Sequence, residues 1–200
     1  MNKNLNNDSC ACCTTCETLP VVETSDSSGC SCGPDCCETT NEPKIEKRQV
    51  EIDFLYLDLS ICTRCQGADT VLDEALAEVS NVFAATGVEV HVNKVNVINE
   101  ALALKHHFVS SPTIRINGRD IQLEVKETLC ESCGDLCGDE VDCREWLYQG
   151  ETYNVPPKAM IIEALLKAVY SNDQPLQESH DYVLPENLKR FYSSMEKKAE

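Results

Sequence analysis

An apolar run from Val50 to Leu59 ends at Cys62-Thr63-Arg64-Cys65, and an amphipathic stretch begins on the far side of that pair. Within the run, Val50, Ile52, Phe54 and Tyr56 alternate with Glu51, Asp53 and Leu55 before Leu57 and Leu59 follow, the pattern of a largely buried strand of about ten residues. From Gln66 to Thr86, Val71, Leu72, Ala75, Leu76, Val79 and Phe83 recur every three or four residues, and Gly87 stands where a helix C-cap is expected. A strand therefore passes into a helix through the two cysteines. Whatever chemistry they carry is displayed at a helix N-terminus.

The remaining pattern builds on this unit. Val88, Val90 and Val92, then Val95 and Val97, predict a second strand whose phase slips near Asn93 and Lys94, as at a bulge. A short helix follows over about Asn99 to Phe108, and Ser110-Ser111-Pro112 breaks it. Thr113 to Ile116 enters a tight turn at Asn117-Gly118, with Ile121 to Val125 as the returning strand. Trp146, Tyr148 and Tyr153 flank a second hairpin, and Pro156-Pro157 opens a helix through Tyr170. Strand, helix, strand, helix, hairpin, helix is the order of an α/β sheet with helices on both faces. Leu184 to Tyr192 adds a short amphipathic C-terminal helix.

The chain's 14 cysteines fall into three groups. Cys10, Cys12, Cys13, Cys16, Cys30, Cys32, Cys36 and Cys37 lie among Asn, Ser, Thr, Asp and Glu, where too little apolar surface is available to offset ordering entropy, so residues 1–46 are expected to form a disordered arm. Cys62 and Cys65 are the junction pair. Cys130, Cys133, Cys137 and Cys143 lie in a Gly- and acid-rich insertion, residues 128–145, within a domain of residues 47–170; residues 171–200 form the C-terminal extension. The formal charge of -17 repels phosphate backbones, which argues against nucleic-acid partners. With no apolar run of membrane-spanning length and no secretion-signal pattern, membrane insertion is not expected and a cytoplasmic location is, while docking to a membrane transporter stays open. In a reducing compartment so many thiols point to metal ligation or redox chemistry rather than to structural disulfides.

A CxxC between first strand and first helix, Ser111-Pro112-Thr113-Ile114 opening the third strand, and the closing helix together resemble the thioredoxin-like superfamily over about residues 48–170. More narrowly, Asp58 to Cys65, Ser111 to Ile121, Cys130 to Gly138 and Pro185 to Phe191 are similar to one uncharacterised thioredoxin-like microbial family whose relatives are described as parts of a selenocysteine-assisted organometal transport system. The resemblance implies a thioredoxin-like three-layer sandwich, a cis peptide bond at Pro112 beside Cys62, and a Ser111 backbone offered to an extended partner. Soft-metal handling is implied as well. The chain departs from thioredoxins proper, which carry Trp-Cys-Gly-Pro-Cys and a buried acid six residues before the first cysteine: here Ile61, Thr63-Arg64 and Tyr56 stand at those places, and Asp58 reads either as an acid for proton handling or as a solvated strand-end residue.

At a helix N-terminus Cys62 is expected to be the exposed nucleophile, with Arg64 deepening its thiolate bias and Cys65 one turn on as the resolving thiol. The same two sulfurs also suit a soft-metal clamp, or simple packing as small buried apolar groups. Cys130-x2-Cys133-x3-Cys137-x5-Cys143 supplies four thiols within fourteen residues, with Gly134 and Gly138 as turns that converge them. Such a tetrad fits structural zinc, an iron–sulfur cluster, two disulfides or a redox relay to Cys62, or a functional soft-metal site. The arm's clustered cysteines read as a metal-sequestering or metal-delivering segment, or as an incidental leader. His106, His107 and His91 read as packing or surface residues, and Trp146 as core. Expected partners are a thiol or disulfide protein or a metal- or metalloid-thiolate species; zinc or another soft metal is the expected cofactor, with no organic one. Three functions stay open: binding, transfer or reduction of soft metal and organometal species through the CxxC pair; general thiol-disulfide oxidoreduction beside a structural zinc loop; or passive metal buffering.

Overall fold

A computed structural model describes residues 47–171 and 182–199. The arm and its eight cysteines lie outside the described residues. Those described form a mixed α/β structure with two sheets and five helices. β1 (Arg48–Tyr56) runs to α1 (Thr63–Ala85), then β2 (Val88–Asn96), α2 (Glu100–Lys105), β3 (Thr113–Ile116) and β4 (Arg119–Asp120). The insertion contributes β5 (Lys126–Leu129), α3 (Glu131–Cys137) and β6 (Asp142–Tyr148); β7 (Glu151–Tyr153), α4 (Lys158–Tyr170) and α5 (Glu186–Ala199) follow.

The first sheet has the order β2-β1-β3-β4, with β1 parallel to β2 and antiparallel to β3. Alternation along β1 sends Val50, Ile52 and Phe54 into one core with Leu72, Val79 and Phe83 of α1 and Ile161 and Leu165 of α4. Leu55 and Leu57 enter a second core on the opposite face, shared with Val97, Phe108 and Leu188, Phe191 and Tyr192 of α5. Helices thus cover both faces. No described helix is long and apolar enough to cross a membrane.

Two expectations about strands are corrected. β2 carries no bulge, since its register with β1 is unbroken from Arg48↔Val88 to Tyr56↔Asn96. The phase slips because the covered face changes: Val88 and Val90 meet the α1 side, whereas Val95 and Val97 meet the α5 side. The strand returning from Asn117-Gly118 is also shorter and earlier than Ile121–Val125, because β4 ends at Asp120. Asp120 Oδ1 accepts the Gln122 amide (3.0 Å), and both carboxylate oxygens accept from the buried Arg144 guanidinium (2.8 Å each), which turns the chain toward the second sheet.

That second sheet, β5-β6-β7, pairs the insertion's two strands with β7, which follows it. Its glycines do not act as a pair of turns. Gly134 lies inside α3, where an added Cβ would sit 3.1 Å from the Asp139 carbonyl; only Gly138, at φ +79°, takes the left-handed cap. Lys198 of α5 donates to the Asp135 and Leu136 carbonyls at the end of α3.

Candidate metal centre

Cys62 is the N-cap of α1 and its sulfur accepts the Cys65 amide at 3.3 Å. Asp58 shapes the approach to it. Its carboxylate accepts the Ser60 and Ile61 amides and the Ser60 hydroxyl, so its oxygens organise the turn before Cys62. Cys130 is the N-cap of α3, with Cys133 one turn on, so the insertion repeats the cysteine spacing of the junction. The two turns touch through the Thr63 and Ser132 hydroxyls, 3.2 Å apart.

The result is one cluster: the sulfurs of Cys62, Cys130, Cys133 and Cys143 all lie within 4.8 Å of one another. This differs from the tetrad expected within the insertion, because Cys137 is outside the cluster and Cys62 takes its place. Cys137 points from the last turn of α3 toward the Gly134 and Asp139 carbonyls, at 3.9 and 3.6 Å. Convergence by local turns was the wrong premise. The two helix N-termini meet instead. The repeated CxxC at Cys130 and Cys133 marks a second cysteine-bearing helix start, but spacing along the chain does not show that it meets the first.

Neither Cys62 nor Cys65 is exposed at all, so the expectation of an exposed nucleophile is corrected too. The insertion covers both. Its hold is specific: the Arg144 amide donates to the Ser111 carbonyl (2.7 Å), so the backbone expected to receive an extended partner is occupied by the chain's own β6. The Ser111-Pro112 bond is cis. Ser111 Oγ accepts the Leu57 amide (3.1 Å) and lies 3.3 Å from the Cys65 sulfur. Arg64 is placed differently from the expectation as well. Its guanidinium donates to the carbonyls of Thr128 (3.4 Å), Leu129 (3.0 Å) and Cys143 (3.0 Å), next to or part of the cysteine-bearing segments, and so ties them to the helix that carries Cys62. Replacing Arg64 with Ala is expected to loosen the insertion and quicken metal loss to a chelator by about tenfold, the scale of outer-shell losses at metal sites; an unchanged rate in stopped-flow chelation would refute that role.

The thiols set one another's protonation. Cys62 is held far below the ordinary thiol range, chiefly because Cys130, then Cys133 and Cys143, donate hydrogen bonds to its sulfur. Cys130 falls to about 6, led by the bond from Cys133. Cys133 and Cys143 are pushed up, first through their bonds to Cys130. Cys65 is also pushed up, first by its bond to Cys62 and then by burial. Negative charge therefore gathers on Cys62, and deprotonating the whole buried set calls for a cation. No disulfide links the six described cysteines.

The four sulfurs fit such a cation. A tetrahedral ion with metal–sulfur bonds of about 2.3 Å spaces its ligands about 3.8 Å apart, inside the observed limit of 4.8 Å and near the 3.3 Å between Cys133 and Cys143. A multi-iron cluster needs more room than a single ion.

A family model described as "Domain of unknown function (DUF2703)" matches residues 50–165, more than half of the chain. The chain belongs to the DUF2703 family. No curated protein and no solved structure matches it. The DUF2703 span opens within β1 and closes within α4, so it contains all four clustered cysteines, Cys65 and Pro112. The eight N-terminal cysteines and α5 fall outside it. His91 and His107 are exposed and His106 half-buried, with His107 stacked on Tyr182. Trp146 is fully buried, with the Arg144 guanidinium 5.2 Å from its ring centroid.

Proposed function

We propose that this chain is a soft-metal thiolate protein in which a CxxC cysteine, Cys62, is joined to three cysteines of an insertion to hold one ion. The observation that carries the reading is the convergence of four buried sulfurs within 4.8 Å from segments far apart in sequence. The donor set is all sulfur, which favours zinc, Cu(I) or heavier thiophilic ions over hard cations. A thioredoxin-like core is supported by the β2-β1-β3-β4 order, the cis bond before Pro112 and the position of the CxxC at the start of α1. A reducing compartment such as the cytoplasm suits the free thiols. The N-terminal cysteines would supply or receive the ion at high local concentration, and an external metal-thiolate or thiol protein would be the donor.

General disulfide reduction fits less well. A protein disulfide would have to reach an unexposed Cys62 past a strand already bonded to Ser111.

The test uses the full chain with the eight N-terminal cysteines replaced by serine, purified anaerobically. One zinc or cobalt(II) ion per chain is expected, and X-ray absorption should find four sulfur ligands at about 2.3 Å. A chain that binds none, or that binds through nitrogen and oxygen, would remove the reading.

A further inference from the structure

Cys62 faces two sets of partners. On one side are Cys130, Cys133 and Cys143; on the other is Cys65, which is not part of the four-sulfur group although its amide donates to the Cys62 sulfur at 3.3 Å. Cys65 is fully buried, and Ser111 Oγ lies 3.3 Å from its sulfur. A fifth thiol is thus held beside one ligand of the site without serving as a ligand. The Cys62 and Cys65 thiols are also hydrogen-bonded to one another, which puts their sulfurs within reach, and as a ligand Cys65 would belong to the group.

We propose that this arrangement couples oxidation to metal release: a small peroxide oxidises Cys62, Cys65 captures it as a disulfide, and the ion is left with three thiolates. The inference rests on the four-sulfur reading of the site. In the first step the Cys62 thiolate attacks one peroxide oxygen and the O–O bond breaks, giving a sulfenic acid on Cys62 and a hydroxide that carries off the negative charge. In the second, the Cys65 sulfur attacks the Cys62 sulfur. The S–S bond forms, the S–OH bond breaks, and the hydroxyl leaves with the Cys65 proton as water. Two electrons pass from the cysteine pair to the peroxide. A dithiol reverses the change by two successive exchanges and restores the fourth ligand.

Size selects the oxidant. With both residues at 0% exposure and the Ser111 carbonyl occupied by the Arg144 amide, a bulky disulfide has no docking backbone, whereas a small peroxide needs only a brief local opening of the insertion to reach the sulfurs. Release is therefore a response to peroxide rather than to the thiol–disulfide poise of the surroundings.

The experiment uses the same full chain with serine at the eight N-terminal positions, loaded with zinc and mixed with hydrogen peroxide in the presence of a chromophoric chelator. One zinc should appear per disulfide formed, and peptide mapping should place that disulfide between Cys62 and Cys65. Cys65→Ser should bind one zinc as the parent does yet release it at least about tenfold more slowly, with sulfenic acid trapped on Cys62 by a dimedone-type reagent. Oxidised glutathione at equal concentration should act more slowly than peroxide, and dithiothreitol should restore zinc binding. Equal release from Cys65→Ser, or a disulfide mapped among Cys130, Cys133 and Cys143, would overturn the coupling; the mapping on the parent chain holds whether or not the variant folds. Glutathione disulfide as fast as peroxide would overturn the size selection. If the parent takes up no zinc, it is the four-sulfur reading that falls, before any oxidant is added.

Discussion

Cys143→Ser, made in the chain whose N-terminal cysteines are serine, is expected to weaken zinc or cobalt(II) binding by more than about 100-fold, beyond the ~10- to 100-fold that loss of an outer-shell partner costs. Cys137→Ser is expected to leave both stoichiometry and affinity unchanged. The contrast is sharp because both residues are buried cysteines of the same insertion, six positions apart in sequence. Serine fills nearly the same volume as cysteine, so packing is little disturbed, but its oxygen is a harder donor that stays protonated at neutral pH. Cobalt(II) makes the comparison visible. Sulfur-to-metal charge-transfer absorption should drop in the Cys143 variant and persist in the Cys137 variant. If Cys137→Ser proved the more damaging, the ion would sit wholly within the insertion, and the convergence on Cys62 would have no functional meaning.

Asp120→Ala is expected to lower stability by about 3–5 kcal/mol, because it leaves a buried guanidinium without its counter-charge. The Arg144 side chain is 0% exposed and its two terminal nitrogens each donate to a separate Asp120 oxygen at 2.8 Å. Asp120 itself is 18% exposed, which places the pair well inside the protein rather than among surface ion pairs, whose net contribution is typically about 0–1 kcal/mol. At about 2–4 °C per kcal/mol for a chain of this size, the melting temperature should fall by roughly 6–20 °C. Metal retention should decline with it, since Arg144 follows Cys143 directly and its amide anchors β6 to Ser111. The double variant Asp120→Leu, Arg144→Met should recover most of the loss by replacing the pair with apolar groups. A melting temperature within about 2 °C of the parent for Asp120→Ala would mean the guanidinium is compensated elsewhere, by the Trp146 ring.

The elements that could be read from sequence are those whose pattern reports a single covered face. β1, α1 and α4 show their period plainly, and Gly87 and Pro156-Pro157 mark boundaries within a residue or two of those observed. Where coverage changes along one element the pattern misleads. β2 is covered from the α1 side at its start and from the α5 side at its end, which mimics a bulge. α3 was hidden for a different reason. Glu131-Ser132-Cys133-Gly134-Asp135 is a weak helix former, and its helix is completed by tertiary partners: the close approach of Asp139 to Gly134 and the Lys198 contacts to its last carbonyls. The site was half legible. Counting neighbouring cysteines finds Cys130, Cys133 and Cys143, but spacing along the chain says nothing about a sulfur 68 residues earlier, brought in by the meeting of two helix starts. Likewise Arg64 reads as a charge for a thiolate, while the carbonyls it binds belong to strands that pattern alone does not position beside it.

The C-terminal helix sets a clock for the site. Leu188, Phe191 and Tyr192 share a core with the four cysteines, and the Tyr192 hydroxyl donates to the Val97 carbonyl at 3.0 Å. These residues follow Cys143 by about 50 positions. At roughly 5–20 residues per second of synthesis, Cys143 is therefore made about 2–10 s before the roof over it. During that interval the sulfurs lack the cover that Leu188, Phe191 and Tyr192 supply. On the four-sulfur reading, an ion bound in that interval would be enclosed once α5 packs over the cluster.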